Sequence, residues 1–65
     1  MKKYVVSYMS YFDNEVIMKL VLAVSSNVAI LKVLELNGIV VEHLDLEDLI
    51  EECFNMDIAV GVIEV

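Results

Sequence analysis

Apolar residues dominate the first 24 positions, with polar ones inserted singly, and their types suit extended chain. Residues 3–12 (KYVVSYMSYF) are rich in Tyr, Val and Phe, which fit a pleated surface and predict a strand. Asp13-Asn14 follows, two residues that tolerate left-handed backbone and suit a tight hairpin turn. Residues 16–24 (VIMKLVLAV) predict the returning strand. A two-residue turn at 13–14 sets Phe12 opposite Glu15 and Tyr8 opposite Lys19, and the period of two then assigns the faces. One face collects Val5, Ser7, Met9, Tyr11, Val16, Met18, Leu20 and Leu22 and is the expected core face. The other collects Tyr4, Val6, Tyr8, Ser10, Phe12, Ile17, Lys19, Val21 and Ala23, an aromatic and amphipathic surface.

The period then lengthens. Ser25 or Ser26 is placed to cap a helix through its hydroxyl. That helix is expected from about Asn27 to Asn37, with Gly38 as the stop. Its Val28, Ile30, Leu31, Val33, Leu34 and Leu36 cover more than one stripe, and Asn27, Lys32 and Glu35 face outward, which predicts burial on more than one side. Residues 39–42 (IVVE) suit a short strand or an extended link. Asp45 is an expected N-cap with Asp48 at the third helical position, flanked by the staple pair Leu44 and Leu49. Leu46, Leu49, Ile50, Cys53 and Phe54 recur at the spacing of one helical face, with Glu47, Asp48, Glu51 and Glu52 away from it and Asn55 at the end. Residues 57–65 predict a last strand with Ile58, Val60 and Val62 on one face. The order β-β-α-(β)-α-β implies a single α+β domain over residues 1–65: a small, mostly antiparallel sheet with two helices on one face.

Composition sharpens this picture. A 65-residue chain buries only about 60% of the surface that its unfolded form exposes. Yet 60% of the residues are hydrophobic. Apolar side chains therefore outnumber interior sites, and a homo-oligomer, most simply a dimer, or an apolar docking face is expected. One cysteine makes no internal disulfide and fits a reducing compartment. The longest uncharged run, between Lys19 and Lys32, falls well short of the roughly 20 residues of a membrane span. The stretch behind Lys2 and Lys3 is broken by Ser7 and Ser10, so no signal peptide is expected. A cytoplasmic protein without membrane contact is the expectation.

Charge is unevenly spread. Residues 1–34 carry four Lys against Asp13 and Glu15 (4 − 2 = +2), while residues 35–65 carry nine carboxylates and no Lys or Arg (−9), giving the net −7. Without a basic patch, direct nucleic-acid binding is not expected, and the match is to a protein with a basic surface. The candidate partner-binding residues are the acidic helix face, Glu47, Asp48, Glu51 and Glu52, which is able to imitate a row of phosphates. A solvated face that keeps an apolar protein soluble is the plainer account of the same residues. The second candidate, for a partner or a dimer seam, is the aromatic row Tyr4, Tyr8, Phe12 and Ile17.

No chemistry-bearing motif competes with these surfaces. Glu42, His43 and Asp45 are metal-ligand types, but one His and two carboxylates without a second His or a Cys pair suit surface or capping roles. Cys53 falls on the apolar side of its helix, as a buried inert thiol would. Gly38 and Gly61 stand alone, so there is no phosphate loop, and there is no Arg to clamp a phosphate. No enzyme activity, catalytic residue, metal or cofactor is expected.

Residues 8–15 (YMSYFDNE), followed by a second apolar strand and a helix, resemble the opening of the Dmd family of T-even phage antitoxins. The similarity lies in Tyr8, Met9, Ser10, Tyr11 and Phe12, then Asn14-Glu15 in the turn, with chain length also similar. It covers about eight of the 65 residues, and the acidic second half shows no such likeness. The resemblance implies a small phage protein, acting in the host cytoplasm, that binds and occludes a host defence factor such as a nuclease toxin or a CRISPR-type target. The alternative expectation is a self-associating structural or regulatory subunit.

Overall fold

The computed structural model describes residues 1–11, 14–42 and 45–65. It is an α+β fold in the order β1 (Lys2–Ser10), β2 (Glu15–Ala23), α1 (Ser26–Leu36), α2 (Leu46–Asn55) and β3 (Ile58–Glu64). The three strands form one antiparallel sheet in the order β2-β1-β3, so the first strand is central and paired on both sides. The bracketed strand at 39–42 does not form: Ile39 and Val41 lie half-buried against the core without joining the ladder.

The hairpin register differs from the expected one by two residues. Ser10 pairs with Glu15 and Tyr8 with Ile17, where a two-residue turn would pair Tyr8 with Lys19. The loop therefore spans 11–14, with Asn14 in left-handed backbone (φ 53°) and with Phe12 and Asp13 outside the described residues. A shift of two preserves parity, so within the paired segments Lys2–Ser10 and Glu15–Ala23 the residues expected to share a face do share it.

The face that the helices cover is the opposite of the expected one. Tyr4, Val6, Tyr8 and Ser10 of β1, Ala23 of β2 and Ile58 of β3 are buried beneath α1 and α2. They meet Ala29, Ile30, Val33 and Leu34 from α1 and Leu49 and Cys53 from α2 in one core. Large side chains buried here, such as Ile30, Leu34 and Leu49, each contribute roughly 1.5–3 kcal/mol. The face expected to be core, with Val16, Met18, Leu20 and Leu22 of β2, is open. The expected assignment turned on Lys19, a charge on the aromatic face. It sits on the helix side, but on an edge strand, where a long side chain reaches water past the rim of the core.

Backbone groups in an antiparallel ladder alternate between neighbours. The Val65 N–H donates to the Lys3 carbonyl (3.0 Å), so the odd residues of β1 bond toward β3 and the even ones toward β2. On β2 the residues opposite Lys3, Val5 and Ser7, namely Leu22, Leu20 and Met18, then aim their backbone groups off the sheet edge. The Leu22 carbonyl accepts a hydrogen bond from Lys32 Nζ of α1 (2.6 Å), which closes that end of the edge.

Both helices end on a left-handed residue. After α1, the Gly38 N–H donates to the Glu35 carbonyl and the Ile39 N–H to the Leu34 carbonyl, the paired bonds of a Schellman motif, with Gly38 at φ 78°. Asp57 takes the same position after α2 at φ 61°, and its N–H donates to the Phe54 carbonyl. At the other ends, Ser25 and Asp45 occupy the N-cap positions without a side-chain cap bond; the Ser25 hydroxyl donates to Asn27 Oδ1 instead. The proposed staple involves Leu44, which lies outside the described residues.

These ends generate a paired prediction. A Cβ at Gly38 would meet nothing within 4 Å, so Gly38→Ala tests backbone strain alone and is expected to destabilise by about 1 kcal/mol. Asp57→Gly removes the same strain, and removes a carboxylate from the negative end of α2, so it should stabilise by about 1 kcal/mol. Urea midpoints moving in opposite directions would confirm both.

Candidate functional site

Helix α2 lies against β3, and its short length sets how much of its circumference is covered. At about 100° per residue, Leu49 and Cys53 fall on one line with Leu46 close by. The first two are buried and Leu46 is half-buried. Ile50 and Phe54 sit one residue further round and are exposed, Phe54 by 65%. This corrects the expectation that both belong to the buried face: a helix resting on an edge strand buries a narrow stripe, and the i+1 positions miss it.

Glu47, Asp48, Glu51 and Glu52 are all exposed. The outer surface of α2 therefore carries an apolar pair, Ile50 and Phe54, flanked on its solvent side by Glu47 and Glu51, while Asp48 and Glu52 lie further round the helix, and exposed Asp45 and Asp57 stand at its ends. Glu47 and Asp48 lie in the first turn and gain from the helix dipole. Glu51 and Glu52 do not, and the i,i+4 pairs Glu47–Glu51 and Asp48–Glu52 repel by a few tenths of a kcal/mol each. Among the described residues no ion pair relieves them; the one that forms joins Lys2 to Glu64 (3.7 Å) at the strand ends.

The second expected surface is not free. Tyr4 and Tyr8 are 4% and 8% exposed beneath the helices, Ile17 is half-buried on the same side, and Phe12 lies outside the described residues. The aromatic row is core, because α1 and α2 cover the face it occupies.

Cys53 is a free, buried thiol. Burial, and then the neighbouring Glu52 carboxylate, push its pKa up, so the thiol stays protonated at neutral pH. Glu42 and Asp45 are exposed, and His43 lies outside the described residues. Among the described residues, no three His, Cys, Asp or Glu side chains are placed to hold a metal ion. No helix among them is long and apolar enough to cross a membrane.

The chain matches no known protein family, no curated protein and no solved structure. What the site does must therefore be argued from its own surface. That surface offers no nucleophile beside a base; it offers an exposed aromatic ring with carboxylates along one side of it.

The state of Cys53 gives a direct check. A thiol reagent should leave it unmodified in the folded protein at pH 8 and label it once urea unfolds the chain. Its raised pKa also has a sign: the contribution to stability is complete below the ordinary thiol pKa of about 8.5 and is lost as pH rises from there toward the folded-state value. A urea midpoint that falls between pH 8 and 10, and falls less in Cys53→Ala, is the expected result.

Proposed function

We propose that this chain is a non-catalytic inhibitor that binds a basic surface of a nucleic-acid-handling protein and works by occlusion. The observation that carries the proposal is the exposed circumference of α2, where Phe54 and Ile50 are flanked by Glu47 and Glu51, and Asp48 and Glu52 extend the negative charge round the helix. Interfaces of this kind combine an aromatic anchor, which supplies most of the binding energy, with a charged rim that speeds encounter and selects the partner. Carboxylates spaced along a helix repeat negative charge much as a phosphate backbone does, and a groove built for nucleic acid carries the Lys and Arg that answer it. The absence of any cation after Lys32 keeps that half of the chain uniformly negative. The resemblance of residues 8–15 to phage antitoxins supports a host nuclease as the kind of target, met in the host cytoplasm.

The test uses the tagged full chain to capture proteins from bacterial lysate at low salt. A basic partner retained in near-equal amount, released by high salt, and impaired in its nuclease activity by the bound chain is the expected outcome. Glu51→Lys with Glu52→Lys should slow association and flatten its salt dependence. Phe54→Ala, at a position too exposed to matter to the core, should raise Kd about 30-fold or more while leaving the urea midpoint unchanged. Binding unaltered by all three substitutions would remove α2 as the contact surface.

A further inference from the structure

The open face of the sheet has a composition that water does not favour. Pairing places Leu22 and Lys3 in its first row, Leu20, Val5 and Ile63 in the second, Met18, Ser7 and Gly61 in the third, and Val16, Met9 and Ala59 in the fourth. Lys3, at one corner, is the single charge among them. The other charged strand residues, Lys2, Glu15, Lys19 and Glu64, all fall by parity on the helix side. An antiparallel sheet with one wet face puts its polar residues on that face. This sheet does the reverse. Val16, Met18, Leu20 and Ile63 are each between 64% and 68% exposed.

We propose that this face is the seam of a homodimer in which two copies pack sheet to sheet, an inference independent of the role given to α2. Three features favour a second copy over a foreign partner. The first is relief. Along β2 the exposed Val16, Met18, Leu20 and Leu22 form a ridge. Beside it, Ser7, Met9, Ala59 and Gly61 floor a shallow trough of about 230 Å³. Gly61 keeps that floor low, since a Cβ there would stand 2.8 Å from Ser7 Oγ. In the third and fourth rows ridge and trough lie side by side, a relief that a two-fold axis parallel to the strands makes complementary to itself by seating each ridge in the other copy's trough. The second feature is charge. Every carboxylate of the strands lies on the helix side, and α2 lies in that layer, so two chains of net charge −7 meet through a face that bears no negative residue.

The third feature is area. Three strands spaced about 4.8 Å apart and up to nine residues long present on the order of 400 Å² in flat projection. Two fully overlapped copies thus remove on the order of 800 Å² in flat projection, to which side-chain relief adds, against the roughly 1,000 Å² of a biological interface. Sheets packed this way stand about 10 Å apart with their inner side chains interleaved.

Sedimentation equilibrium of the full chain, from micromolar to millimolar, is the test. The expected mass is twice 7.3 kDa. Leu20→Glu and, separately, Met18→Lys should raise the dissociation constant about a hundredfold or more while far-UV circular dichroism stays unchanged. Glu51→Lys with Glu52→Lys should remain dimeric, which separates this seam from the α2 surface. Should either face variant fail to fold, dilution of the wild type followed by methyl NMR decides: Met18, Leu20 and Ile63 should shift as the pair dissociates. A wild type that stays monomeric at millimolar concentration overturns the proposal. So does a dimer that survives both face substitutions. In that case slow exchange of the outward Met18 and Leu20 amides would identify pairing along the β2 edge instead.

Discussion

One layer of helices covers one face of a sheet, and a chain of this length has only one layer to give. Everything else follows from which face that layer takes. Here it takes the side of Tyr4, Val6 and Tyr8 on the central strand, which is held on both edges and therefore aims its alternate side chains firmly into the core. The aromatic rings fill the space beneath α1 and α2, and Ile58 completes the floor. The cost falls on the other side, where a second apolar set has no cover. Part of the excess of apolar residues over interior sites is thus gathered in one patch on the open face, where Val16, Met18, Leu20, Leu22 and Ile63 stand exposed.

Charge follows the opposite logic. The strands keep nearly all of theirs on the covered side, at rims where long side chains still reach water, and α2 carries four exposed carboxylates, two of them beside an exposed aromatic. Solubility alone would be served by interleaved signs, which also add favourable i,i+4 pairs. The like-signed arrangement on α2 gives that up. It is consistent with a surface shaped by encounter with positive charge more than by stability.

Much of this was legible in the residues, and the gaps have physical causes. The elements, the antiparallel order and the two sets of co-facial strand residues follow from local pattern, and a register error of two left the sets intact because parity survives it. Which set faces inward is not a local property: it depends on where the helices land, and both sets are apolar enough to qualify. Ile50 and Phe54 were misassigned because helical spacing alone does not say how wide a stripe the neighbour covers. Gly38 announced its left-handed turn, whereas Asp57 did not, since the backbone there is held by the strand that begins one residue later and by the bond from the Tyr11 N–H to its carbonyl. Tyr4 and Tyr8 suit a half-wet surface by residue type, yet here their rings are packed in the core.

The placement of α2 on the far side of the sheet from the open face has a bearing on valency. In a pair stacked through that face, the two acidic helices point away from each other, separated by two sheets and two cores. They are too divergent to grip one compact target together, so pairing adds no avidity toward a single molecule. If the pair forms and α2 is its contact surface, it would be two-headed, holding two copies of a target at opposite ends and apart from each other.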